Sequence, residues 1–286
     1  MPDRVQSEER IRLHDRVGPL NALVAFPYFN DELQRVCAER ANDVRLLLDS
    51  GAFTSWRLGK PVTLDDYCRF LESATFPIWR YFLLDVIGDP VATRKNLDVM
   101  LKRGFNPIPV FTRGEDPAYL DELYKVSDVV AIGGLVKTKG NAGFVKAIMK
   151  RVGDRKVHWL GFTRAEFIKH YRPYTCDSGS WHWGSRFGLL WLYIGNGMVK
   201  GYQRKDMHTR PGAEFFRAIR RLGYDPHALA NEDAWRGDSL VKRVSAASGV
   251  LWSRETEQCL GTKLFLAAGP GLLQDLLAEF DRMPAC

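Results

Sequence analysis

Three aspartates in this chain stand where an apolar run stops. Leu46-Leu47-Leu48 ends in Asp49-Ser50-Gly51-Ala52-Phe53, Leu83-Leu84 ends in Asp85, and Tyr174-Thr175-Cys176 ends in Asp177-Ser178. A fourth run, beginning at Val129, ends in Ile132-Gly133-Gly134-Leu135. A carboxylate at the edge of a dry interior can carry a proton or attack a carbon. Two at one site can divide the work, one attacking or stabilising a sugar cation while the other handles the proton of the leaving group. The glycines let backbone groups approach a flat ligand, and Phe53 offers a face for a heterocycle to stack on. Each residue also has a plainer reading. Asp49 or Ser50 can cap the next helix, Asp85 can shape the turn at Gly88-Asp89-Pro90, and Gly133-Gly134 can serve a strand-to-loop turn.

The elements that must position these residues alternate along the chain. Apolar runs ended by turn residues predict eight strands: 21–26, 44–49, 81–85, 107–111, 129–133, 157–161, 174–177 and 189–194. Segments of helical periodicity lie between most of them, at 31–41, 64–74, 90–103, 117–126, 142–151 and 164–170. Such alternation implies βαβ units and a parallel sheet, open or closed. No GxGxxG follows the first strand and no GxxxxGK[ST] occurs, so a dinucleotide or P-loop fold lacks support. Eight units favour an α/β fold of the (β/α)8 TIM-barrel type, whose active sites sit at the C-terminal ends of the strands. The expected organisation is a barrel catalytic domain over residues 1–222 and extra C-terminal helices over 223–286, packed on the barrel.

Composition bounds the partners. The 286 residues are enough for one large domain with a sizeable core. A net charge of +7 favours a polyanionic partner. The five cysteines form no CxxC or Cys/His cluster, so neither a disulfide framework nor a structural zinc site is expected. The charged N-terminus has no signal-peptide core and no uncharged run approaches bilayer length, so a cytoplasmic protein without a membrane partner is expected.

The order DSGAF, LD, GGL, HWLGFT and CDS resembles the tRNA-guanine transglycosylases and their relatives, over about Leu46 to Trp181. Within that superfamily the run Leu84-Asp85-Val86-Ile87-Gly88-Asp89-Pro90 with Asn96, the run Pro107 to Phe111, and Asp177-Ser178-Gly179-Ser180-Trp181 are similar to the shorter phage-type, DpdA-like branch, associated with inserting deazaguanines into DNA. The resemblance implies a barrel pentosyltransferase that replaces guanine with a free 7-deazaguanine base through a covalent sugar-aspartate intermediate, without a metal or other cofactor. It implies Asp177 as nucleophile, Asp49 as general acid/base, Phe53 as stacking surface and Asp85 as reader of the base. Ser50, Gly133, Gly134 and Leu135 complete the substrate pocket. The usual DSGGF stands here as DSGAF, which adds a methyl group at Ala52. The CxCxxC zinc motif of the tRNA enzymes is absent, which favours DNA over tRNA as the polymer. Lys137, Lys139, Arg186, Lys200, Arg204, Lys205 and Arg210 are candidate phosphate contacts that as a group predict salt-dependent binding; singly, each reads more readily as a solvated charge. Trp181, with His182 and Trp183 beside it, is a candidate base contact, and a packing role for at least one of the tryptophans stands equally open. His158 is expected only to pack or bond locally. The alternatives are base exchange on tRNA, a noncatalytic nucleic-acid-binding paralogue, and a nucleoside hydrolase or deoxyribosyl transferase acting on small molecules.

Overall fold

The computed structural model describes residues 18–59, 61–135, 141–208, 211–236 and 240–283. Seven parallel strands run in chain order: β1 (Leu20–Ala25), β2 (Val44–Asp49), β3 (Arg80–Tyr81), β4 (Val110–Thr112), β5 (Val129–Gly133), β6 (Lys156–Trp159) and β7 (Thr175–Ser178). Helices α1 (Asp31–Glu39), α2 (Ala52–Leu58), α3 (Leu64–Ser73), α4 (Pro90–Lys102), α5 (Pro117–Val126), α6 (Asn141–Val152) and α7 (Ala165–Tyr171) separate them. Every residue of β1 and β5 is buried, which is why these strands read as unbroken apolar runs rather than alternating ones. The fold class is the expected (β/α)8 barrel, but its closure differs from expectation.

The eighth barrel strand is not 189–194. Leu189–Gly195 (β8) pairs antiparallel with Met198–Gln203 (β9) as a separate two-stranded hairpin, following a short helix, α8 (Ser180–Trp183). The chain continues through α9 (Ala213–Arg221) to α10 (Leu240–Leu260), then β10 (Lys263–Ala267) and α11 (Pro270–Arg282). It is β10 that enters the sheet, parallel to β1 on one side and β7 on the other. The order is therefore β3-β2-β1-β10-β7-β6-β5-β4, and a parallel bridge between Phe82 and Ile108 joins the two outer strands. The expected division into a barrel over 1–222 and a helical extension over 223–286 fails for the same reason. Helices α10 and α11 are part of the (β/α)8 ring, and the added material is an insertion between β7 and α10. Both apolar runs look alike in sequence, and only the partner available to each decides which is a barrel strand.

Strands β3 and β4 are shorter than expected. Pro107 and Pro109 have no N–H to give to a ladder, so the fourth run pairs regularly only from Val110. Inside the ring, Leu23, Leu47, Phe82, Ile108, Val110, Val129, Ala131 and Phe265 form one apolar cluster. The opposite strand faces join a larger cluster with the helices. Successive strand residues alternate between these faces, so Asp49, two residues beyond Leu47, belongs to the interior face at its C-terminal rim.

Candidate functional site

The first part of the site is the turn that ends β2. Gly51 has φ +79°, and a Cβ there would lie 2.2 Å from Cδ of Pro27, so only glycine allows the chain to turn this close to β1's end. Ser50 is fully buried. Its hydroxyl lies near enough to the Asp85 carboxylate to oppose the rise in that group's pKa. The helix-cap alternative holds in part for Ser50, whose Oγ accepts from the Ala52 N–H at the start of α2 at 3.4 Å, and not for Asp49. The turn reading of Asp85 fails. Asp89, not Asp85, caps α4 by accepting from the Ala92 N–H. Asn96 holds the Asp85 segment by donating to the Leu84 carbonyl at 2.8 Å.

Burial pushes the Asp49 carboxyl up from 3.8 to about 7, and the charges of Asp85 and Asp177 add to the rise, against hydrogen bonds from the Gly51 and Ser50 N–H groups. Asp85 is pushed up to about 6 by burial, opposed by its own N–H and the Ser50 hydroxyl. Within the ring β2 and β3 are neighbours, while β7 stands four places from β3. The three carboxylates therefore stand at the same rim of the ring, where the charges of Asp85 and Asp177 both bear on Asp49; Asp49 and Asp85 line separate cavities and Asp177 lines neither. Tyr67 is fully buried close by, with its hydroxyl bonded to the Phe82 carbonyl at 2.8 Å, and Asp49 and Asp85 are among the charges that hold its phenol unionised.

Asp177 is held differently. Its Oδ1 accepts from the Gly161 N–H at 2.8 Å and contacts Nε2 of His158 at 3.1 Å. Nδ1 of His158 contacts the Thr175 hydroxyl at 2.8 Å. His158 has no solvent exposure, and its ring meets Phe82 edge-on at 4.8 Å. Sequence reasoning left this histidine with a local role, yet β6 pairs with β7 so that His158 stands opposite Thr175. The one sequence signal was a polar ring inside the apolar run Val157 to Leu160.

Two cavities flank α2. One of about 690 Å³ contains Asp49, Phe53, Tyr28, His182, Trp183, Lys242 and the segment from Ala267 to Leu272 in its walls. The other, about 510 Å³, has Ala52, Ser55, Leu84, Asp85, Val86 and Asn96 among its lining residues. Phe53, 59% exposed, presents its ring to the first cavity, and the Ala52 methyl group lies at the second. Tyr28, Lys242 and the Ala267–Leu272 segment were not expected from sequence; Tyr28 closes β1, and the others are brought in by α10 and β10.

The remaining expected residues divide. Gly133 and Leu135 are buried at the end of β5. Gly134 has φ +72°, and a Cβ there would lie 2.8 Å from Cβ of Arg113, so the turn itself requires glycine. Trp181 is corrected: it is 3% exposed and donates its indole N–H to the Ala267 carbonyl at 3.0 Å, a packing role. Trp183, 45% exposed, is the ring that reaches the cavity. Lys200 pairs with Glu214 at 2.9 Å and Arg204 with Glu232 at 2.9 Å, so neither is a lone cation. Lys205 is exposed in the turn after β9, and Arg186 falls in the turn Gly184–Phe187. Lys137, Lys139 and Arg210 lie outside the described residues. Among the described residues no group of three or more His, Cys, Asp or Glu side chains is arranged to hold a metal ion, and no helix is long and apolar enough to cross a membrane.

Fold and site together define a (β/α)8 barrel whose C-terminal rim carries Asp49, Asp85 and Asp177, with Asp49 in the wall of an aromatic-lined cavity. No family model matches the chain, and no curated protein matches it.

Proposed function

We propose that the protein is a base-exchange glycosyltransferase that replaces guanine in DNA with a 7-deazaguanine. The observation that carries this reading is Asp49 in the wall of the aromatic-lined cavity at the barrel rim, with the charges of Asp85 and Asp177 near enough to join burial in raising its carboxyl to about 7. A group that titrates near neutrality can give a proton in one half-reaction and take it back in the next. The target nucleotide leaves the base stack to reach the mouth. Asp177 attacks C1′, the glycosidic bond breaks, and Asp49 gives its proton to the departing guanine. The incoming deazaguanine then loses its ring N–H proton to Asp49 as its nitrogen attacks C1′, and the ester bond breaks to restore the Asp177 carboxylate. Two displacements retain the sugar configuration. Asp85 suits a base reader because one carboxylate accepts two adjacent N–H donors. Phe53 and Trp183 supply rings for stacking, and the net charge of +7 favours a polyanion.

The test is incubation of the purified protein with labelled guanine or 7-deazaguanine bases, with DNA and tRNA in parallel. Label entering DNA, with loss of labelling in Asp177→Ala, supports the reading. Label entering tRNA alone refutes DNA as the polymer. Exchange that survives both Asp177→Ala and Asp49→Ala refutes the assigned chemistry.

A further inference from the structure

We propose that His158 is the positioning residue for Asp177, and that the chain Thr175 hydroxyl, His158 imidazole, Asp177 carboxylate fixes which carboxylate oxygen attacks. The inference rests on the reading of Asp177 as nucleophile. A carboxylate is an acceptor only, so the ring nitrogen facing it, Nε2, carries the proton. In the neutral ring Nδ1 then accepts from the Thr175 hydroxyl, which locks the tautomer. The Phe82 ring, its centroid 4.8 Å from that of the imidazole, leaves little room for the imidazole to rotate. With the Gly161 N–H bonded to the same oxygen, Oδ1 is engaged by two donors from β6 and the turn after it. Oδ2 is the oxygen left to reach C1′.

This arrangement differs from a carboxylate resting on flexible side chains. Gly161 is backbone, and His158 is buried between strands whose ladder sets its distance to Asp177. The attacking oxygen is therefore placed before substrate arrives, where small displacements are costly. His158 touches no reacting atom in this scheme. It acts by holding Asp177 still and by stabilising the carboxylate when the ester bond breaks.

Two readouts test this. The first is independent of activity: long-range ¹⁵N–¹H spectra of the imidazoles, with six histidines in the chain to assign. The Nε2–H tautomer is expected for His158 in the wild-type protein, with its Nε2 resonance displaced in Asp177→Ala and the tautomer lost or mixed in Thr175→Val. An Nδ1–H tautomer, or resonances indifferent to both substitutions, overturns the proposal. The second is kinetic. His158→Leu is expected to lower kcat for base exchange roughly 10- to 100-fold with KM for the polymer unchanged. His158→Gln, which keeps an N–H near the position of Nε2, is expected to recover most of the loss. Equal activity of His158→Leu and wild type, or no advantage of Gln over Leu in two equally folded variants, overturns it. If the wild-type protein exchanges no base, the functional reading fails and the attacking role of Oδ2 fails with it, while the spectra still decide whether His158 holds Asp177.

Discussion

Replacing Asp49 by asparagine is expected to stabilise the protein above neutral pH while removing its proposed activity. In the unfolded chain this carboxyl ionises near 3.8, and in the folded protein near 7. Between those values the folded state keeps a proton that the unfolded state has lost, so stability falls as pH rises through the window and levels off above it. Each pH unit of the window is worth about 1.4 kcal/mol, which makes the whole effect at most about 4 kcal/mol. The smaller part of it has gone by pH 5, and the larger part goes between pH 5 and pH 8. Asparagine has the same shape, can accept from the Ser50 and Gly51 N–H groups, and carries no charge to repel Asp85 and Asp177. Denaturant unfolding of both proteins at intervals from about pH 5 to pH 8.5 measures the difference, and thermal scans should separate them by roughly 5 to 10 °C at the upper end. Because Asp85 is itself raised to about 6, the curve belongs to the pair rather than to Asp49 alone. Stability profiles that run parallel across this range would refute the assignment of a partly buried, near-neutral carboxyl at this position.

Other expectations are as direct. Asp177→Asn should lower base exchange by roughly a thousandfold or more with little change in melting temperature, and trapping followed by mass spectrometry should find the sugar adduct on Asp177 only in wild type. Gly51→Ala must place a Cβ 2.2 Å from Pro27 at φ +79°; the backbone alone costs about 1–2 kcal/mol, so a larger loss in denaturant titration is expected, together with loss of exchange. The two tryptophans should part company. Trp181→Ala should cost about 3–5 kcal/mol of stability, whereas Trp183→Ala should fold normally and weaken polymer binding in a low-salt shift assay. Tyr67→Phe should cost about 1–3 kcal/mol by leaving the Phe82 carbonyl unpaired, as urea unfolding can measure.

The barrel was legible because seven strands are covered on both faces, and such strands spell themselves as apolar runs ended by turn residues. The eighth was misplaced because Leu190-Trp191-Leu192-Tyr193 and Leu264-Phe265-Leu266 satisfy the same rule, and burial of the first run comes from α10 and its surroundings rather than from the ring. Asp49, Asp85 and Asp177 were legible as residues that interrupt apolar runs, and their placement at one rim follows once strand order is known. His158 was not, because its partners are 17 and 19 residues away and only the β6–β7 register brings them together. Trp181 and Trp183 are two residues apart and identical in type; which one is buried depends on α8 packing against α10.

The placement of β10 also has a consequence for how the chain acquires its structure during synthesis. The strand that lies between β1 and β7 is made more than 230 residues after β1. Until residues 263–267 have left the ribosome, β1 and β7 both present unpaired edges, the type of edge that recruits foreign strands. The hairpin of β8 and β9 is made during this interval and pairs with itself, not with either open edge. Ring closure is thus a long-range event, of the kind that folds slowly, and the carboxylate mouth is complete only after it. A nascent chain halted before residue 263 would carry all three aspartates and no finished site.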